Sequence, residues 1–284
     1  MGEAKRIWLI NNAESGSNTA ETLEECVSHC ADCGFELAHR TQFPAQDLPT
    51  PGMLDEAGIS LAVIFAGDGT VNAGLQALSG WSGSVMILPG GTMNLLYHRL
   101  CGEEKWQEVV AKAARGELQR HRPAVIQTPE GIAYAGLLAG PGTAWGDVRE
   151  AMRSRDPVDF AAETRDAFAQ TLSAPGVVCT DPAIGKRDGY PLILLTPQDG
   201  EILVDAYHAE SGGEYLEQFV ALVRRDFREG PHDRLGEVPS MSLSIAEGST
   251  FGVLVDGERY DVHSPSRFEL VQCPVELLAT RTDG

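Results

Sequence analysis

FAGDGTVNAG, Phe65 to Gly74, follows directly on the nearly unbroken apolar run ISLAVI at 59–64. A continuous apolar run is the pattern of a strand covered on both faces of a parallel sheet. It ends by delivering an aspartate, Asp68, between Gly67 and Gly69, and TVNAGLQAL behind it predicts a short helix. Outward from this unit, IWLINN (7–12) reads as a first strand and residues 19–32 as a helix, with Asn18 and Glu21 as a capping box and Gly34 as its stop. FELAHRTQF (35–43) suits a second strand, followed by a Pro-rich loop and a short helix near 53–57. GSVMILPGG (83–91) is another buried strand, and EEKWQEVVAKAARGEL (103–118) is a helix with Trp106, Val109, Val110, Ala113 and Ala114 on one face. Strands alternating with helices predict an N-terminal doubly wound α/β domain.

Beyond about residue 120 the pattern changes to short strand candidates separated by Gly, Pro and Asp turns, among them YPLILLTPQDGEILVDAYHAE and SMSLSIAEGSTFGVLVDGERYDV. Two helices are expected inside this region, over 158–172 and 214–227. The expected organisation is therefore an α/β domain over 1–119 and a C-terminal β-rich sandwich domain over 120–284, with a cleft between them.

Bulk properties exclude several classes. The net charge is −19, from 22 basic and 41 acidic residues, and no stripe of Lys or Arg offsets it. A nucleic acid would be repelled at long range. No segment reaches the roughly 18 apolar residues that a membrane span needs, and the N-terminus turns into strand too quickly for a signal peptide, so a cytoplasmic location is expected. Cys26, Cys30 and Cys33 form a C-x3-C-x2-C spacing that also suits an iron–sulfur cluster. The positions of Leu23, Cys26, Val27 and Cys30 on one helical face favour plain core packing. The seven histidines include no pair at metal-ligand spacing. No Walker A loop, no G-x-G-x-x-G after the first strand and no G-x-S-x-G elbow is present.

Ligands of open α/β sheets bind beyond the carboxyl ends of the strands. Three segments reach that edge: NNAESGSN, AGDGT and LPGGTMN. All are rich in Gly, Ser, Thr and Asn, whose amides and hydroxyls can donate to phosphate oxygens, and each leads into a helix N-terminus. Together they suit a polyphosphate. Asp68 in such a cradle has two chemical uses, holding Mg2+ against phosphates or accepting a proton from an attacking hydroxyl. Its other reading is a turn aspartate that bonds neighbouring amides.

Taken together, the three loops resemble those of the diacylglycerol kinase-like lipid kinases, which include the sphingosine kinases and bacterial lipid kinases. The counterparts are NAESG (Asn12–Gly16), AGDGTVNA (Ala66–Ala73) and PGGTMNL (Pro89–Leu95), with a fourth in VLVDGE, Val253 to Glu258. G-D-G-T alone is shared with NAD kinases and phosphofructokinase-like enzymes, so the first domain resembles theirs. The resemblance implies ATP bound through Asn12, Ser15, Gly16, Thr41, Gly67, Gly69, Thr70, Gly91, Thr92 and Asn94. It implies Asp68 as a catalytic or Mg2+-organising carboxylate, and Glu258 with Asp256 as candidate base for a lipid hydroxyl.

Ala13, Ala66, Ala73 and Leu95 replace the family's proline, glycine, glutamate and aspartate at those positions, and no lysine follows the first strand. Three readings follow. The first is an ATP- and Mg2+-dependent kinase acting on a diacylglycerol or long-chain base. The second is a catalytically impaired relative that binds nucleotide or lipid, and the third an NAD kinase-like enzyme. A lipid would enter by an apolar patch near LLAGPGTAW (137–145) or GYPLILL (189–195), segments that read equally as sheet core. Transient contact with a membrane surface is compatible with this, and a homodimer is left open.

Overall fold

The computed structural model describes residues 5–12, 19–140, 176–207, 232–245 and 249–281. Ser15, Gly16, Ala13 and the helices expected over 158–172 and 214–227 lie outside the described residues. The order of elements is β1 (Lys5–Asn11), α1 (Ala20–Asp32), β2 (Phe35–Gln42), α2 (Pro51–Glu56), β3 (Leu61–Ala66), α3 (Asp68–Ala77), β4 (Ser84–Pro89), α4 (Leu95–Cys101), α5 (Trp106–Arg115) and β5 (Gln119–His121). There follow β6 (Ala124–Thr128), β7 (Gly131–Ala133), β8 (Leu137–Gly140), β9 (Val177–Asp181), β10 (Leu192–Gln198), β11 (Glu201–Tyr207) and β12 (His232–Val238). The last are β13 (Ser240–Ile245), β14 (Thr250–Val255), β15 (Glu258–His263), β16 (Ser266–Gln272) and β17 (Glu276–Ala279).

The chain forms two compact units, Met1–Pro123 with Gln272–Gly284, and Ala124–Val271. The sequence reading assigned everything after residue 119 to the second domain. β17 instead returns to the first unit, where it pairs in parallel with β4 and antiparallel with β5. That pairing joins segments far apart in sequence, and no local pattern in ELLA specifies its partner.

In the first unit the sheet order is β2-β1-β3-β4-β17-β5. β1 is parallel to both β2 and β3, and β3 is parallel to β4. The chain leaves β1 for β2 on one side and then crosses back to β3 on the other, so the order reverses between β1 and β3. That reversal opens a crevice at the carboxyl edge of those two strands. The apolar runs behave as their composition requires: Ala62, Val63 and Ile64 in β3 and Val85 and Met86 in β4 are fully buried. Helix α3 lies close on β3, since a Cβ at Gly74 would come within 2.8 Å of Ile64 Cδ1.

Helix α1 buries Leu23, Cys26 and Cys30, the face expected from their spacing. Its N-cap is Thr19 rather than Asn18: the Thr19 hydroxyl accepts the Thr22 amide at 3.2 Å. Gly34, at φ 90°, ends it. All six cysteines are free. The Cys26 thiol is pushed up by its hydrogen bond with Cys30 and by burial, and burial pushes Cys101 and Cys273 up to about 11. These are the properties of packed thiols. Trp81 anchors its loop, fully buried with its indole N–H donating to Asp55 Oδ1 at 2.9 Å.

The second unit contains a six-stranded sheet, β12-β11-β10-β8-β14-β15, and a five-stranded sheet, β7-β6-β16-β13-β9. Ile193, Leu195, Val204, Phe251 and Val253 from the first and Ile126, Met241, Leu243 and Phe268 from the second share one core. This is a sandwich of antiparallel sheets. Leu137 and Ala139 of β8 and Ile193 and Leu195 of β10 lie in that core, so the described parts of the two candidate lipid-entry segments contribute side chains to the sheet interior. No helix among the described residues is long and apolar enough to cross a membrane.

Candidate functional site

Asn12 and the loops after β3 and β4 meet at the carboxyl edge of the first unit's sheet. Asn12, one residue past β1, donates from Nδ2 to the Thr70 hydroxyl at 3.0 Å. Gly91, after β4, lies against Gly67, after β3, so closely that a Cβ at position 91 would sit 2.5 Å from the Gly67 Cα. Glycine at 91 is thus required by the approach of one backbone to another. Asn94 takes the left-handed conformation, φ 51° and ψ 44°, which asparagine tolerates better than most residues. Its carboxamide accepts the Gly91 N–H at 2.8 Å and donates to the Gly91 carbonyl at 2.9 Å, closing the loop on itself.

Asp68 is the first residue of α3, with Gly67 as N-cap. A carboxylate there is favoured by the free amides of the first helical turn. Its Oδ1 accepts the Leu95 amide at 2.7 Å, so Asp68 bridges the loop after β3 to the start of α4. The sequence places a helix N-terminus behind the loop after β4 but gives the helix no range. Its N-cap, Asn94, makes no side-chain cap bond, so the usual start signal is missing. The anion expected at this third helix N-terminus is the protein's own carboxylate. The Leu95 departure is also softened, because the group that Asp68 uses is a backbone amide, which any residue but proline supplies.

The structure brings together Asn12, Gly67, Asp68, Gly69, Thr70, Gly91 and Asn94, with exposed Thr92 on the same loop. Two expected residues behave differently. Thr41 is 4% exposed and its hydroxyl accepts the Trp8 indole N–H at 2.9 Å; it is a packing contact between β1 and β2, not a surface donor to a nucleotide. Asp256, 3% exposed, has both carboxylate oxygens engaged by backbone. Oδ2 accepts the Tyr134 amide at 2.7 Å, and Oδ1 accepts those of Ala135 and Gly136 at 2.7 and 3.1 Å. A carboxylate committed to three amides is a poor base. Asp256 and Gly257, at φ 48° and 85°, are the two central residues of the β14–β15 hairpin, the positions where D-G favours a type I′ turn. Glu258, opposite Val255, opens β15 and is partly exposed.

Among the described residues no group of three or more His, Cys, Asp and Glu side chains is placed to hold a cation. One Asp68 oxygen is already taken by Leu95. Mg2+ at phosphoryl-transfer sites is commonly held by one or two carboxylates together with substrate phosphates, an arrangement that needs no such group.

Residues 6–125 match the diacylglycerol kinase catalytic domain model. Over that stretch the chain resembles the catalytic domain of the diacylglycerol kinases. The match spans β1 to β4 and the segments that follow β1, β3 and β4 in sequence, but not β17. No curated protein sequence matches the chain. Solved structures resemble the chain over nearly its whole length. One from Bacillus anthracis str. Sterne, provisionally named a diacylglycerol kinase, superposes with a TM-score of 0.65 at 16% identity, covering 100% of this chain and 98% of that one. A structure of a diacylglycerol kinase from the same organism gives 0.63 at 15% identity, covering 100% of both chains. At such identity the likeness establishes the fold. Sequence reasoning overlooked two polar residues beside the site, Asn11 and Arg40. The available signal was an asparagine closing an otherwise apolar strand.

Proposed function

We propose that this protein transfers the γ-phosphoryl group of ATP to the hydroxyl of a lipid of the diacylglycerol or long-chain base class. The observation that carries the reading is the meeting of Asn12, Thr70, Gly67, Gly91 and Asp68 at one strand edge. That arrangement offers amides and hydroxyls to a polyphosphate beside one carboxylate. Magnesium belongs to the donor, as the MgATP chelate. In the transfer the bond between the γ-phosphorus and its bridging oxygen breaks, ADP leaves, and a new P–O bond forms to the lipid oxygen. The hydroxyl proton passes to a carboxylate. Phosphoryl transfer depends chiefly on positioning and charge stabilisation, which suits a site built mostly from backbone and small polar groups. With Asp256 committed to the hairpin, Glu258 is the remaining candidate for proton acceptor from the second unit, and Asp68 is the carboxylate of the first.

The acceptor is presented as micelles of mixed diacylglycerol and sphingoid base, with radiolabelled ATP and Mg2+. Label in the lipid fraction, absent from Glu258→Gln and strongly reduced in Asp68→Asn, is the expected result. Alanine and leucine at 73 and 95, where the family carries acids, favour a second reading of binding without turnover. Nucleotide binding with no labelled lipid would establish that reading, and label in added NAD would establish an NAD kinase-like activity.

A further inference from the structure

Asn11 ends β1 and is 0% exposed. Its register partners are Gln42 on β2 and Phe65 on β3, which sets it at the carboxyl edge of both neighbours. Arg40 of β2 donates from Nε to Asn11 Oδ1 at 2.9 Å. This contact fixes the carboxamide: the oxygen faces the guanidinium, so Nδ2 is left as a donor. Nδ2 is buried and has no hydrogen-bond partner among the described residues. A buried donor without an acceptor is costly, and native structures hold few of them without a reason.

Arg40 is itself unusual here. The chain has 41 acidic and 22 basic residues, yet Arg40 is exposed and forms no ion pair among the described residues. The pair therefore presents donors only: the guanidinium ends and one amide N–H. A group with donors alone on one side and a positive charge selects an oxyanion. Neighbouring Asn12 already marks the polyphosphate edge.

We infer that Arg40 and Asn11 form a seat for a phosphate oxygen of the nucleotide, separate from the glycine loops, with Arg40 supplying charge and Asn11 Nδ2 gaining the acceptor it lacks. This rests on the ATP-dependent reading given above.

The test is calorimetric titration of the full chain with MgATP, tripolyphosphate, inorganic phosphate and adenosine, for the parent, Arg40→Gln, Arg40→Lys and Asn11→Leu. Arg40→Gln is expected to weaken ATP and tripolyphosphate about tenfold and to leave adenosine unchanged. Arg40→Lys should recover part of that loss, since it restores charge but not the fork. Asn11→Leu is expected to weaken both phosphate ligands, yet to raise the ligand-free Tm by about 2–4 °C, because it removes the orphaned donor. Unchanged ATP affinity in Arg40→Gln, an equal loss for adenosine, or a lower ligand-free Tm in Asn11→Leu would overturn the inference. Inorganic phosphate binding as tightly as tripolyphosphate would also overturn it, making the seat one for free phosphate. The two proposals fail separately. Lipid phosphorylation by a parent whose Arg40→Gln form binds ATP normally sinks the seat alone. Arg40-dependent tripolyphosphate binding by a parent that labels no lipid sinks the kinase reading alone.

Discussion

Asp68→Asn is expected to lower phosphoryl transfer by about 10²–10⁴-fold, with nucleotide affinity changed far less. The amide oxygen of asparagine can still accept the Leu95 N–H that Asp68 Oδ1 now holds at 2.7 Å, so the bridge between the two loops survives and only the charge is lost. Asp68→Ala removes both. It releases the first amide of α4 and the tie to the loop after β3, and is expected to weaken ATP binding as well. Comparing the two variants separates chemistry from scaffolding: single-turnover transfer reports the first and equilibrium binding the second. An Asp68→Asn protein that transfers at the parent rate would show that the residue is only a capping group and would remove the first unit's carboxylate from the reaction.

Asp256→Ala is expected to cost about 3–5 kcal/mol of stability, a fall of roughly 10 °C in Tm. Three amides, that of buried Tyr134 and those of half-buried Ala135 and Gly136, lose their acceptor. Alanine must also take the left-handed φ of 48° at the hairpin. Asp256→Asn keeps the favoured turn residue and one accepting oxygen, so its loss should be about half as large. Thermal unfolding followed by circular dichroism measures both. If Asp256→Ala unfolds at the parent temperature but fails to transfer phosphate, Asp256 belongs to the chemistry after all, and the hairpin account is wrong.

Much of the first unit was legible because its signals are local. Continuous apolar runs at 59–66 and 84–88 can bury both faces only inside a parallel sheet, and the loops between them carry glycine where backbones touch, as Gly91 and Gly67 do. What escaped was non-local or without a marker. β17 pairs with β4 across nearly two hundred residues, as in Leu277 with Val85. Helix α4 begins at a left-handed asparagine whose side chain serves Gly91 rather than the helix. D-G-E, by contrast, carried a hairpin signal in its first two residues; the resemblance drew attention to its charge instead of its turn geometry. Thr41 illustrates a further limit: a threonine closing a strand looks the same in sequence whether its hydroxyl meets solvent or the Trp8 indole.

The central claim is that loops distant in sequence hold one polyphosphate at the carboxyl edge of the sheet. Hydrogen exchange by mass spectrometry, with and without MgATP, tests it directly. The expected result is slowed exchange in two peptides at once, one covering Ala66–Val71 and the other Gly90–Leu96, with the Asp205–Tyr207 region of the second unit unchanged. Exchange slowed in neither peptide at saturating MgATP, or slowed only in the second unit, would contradict it.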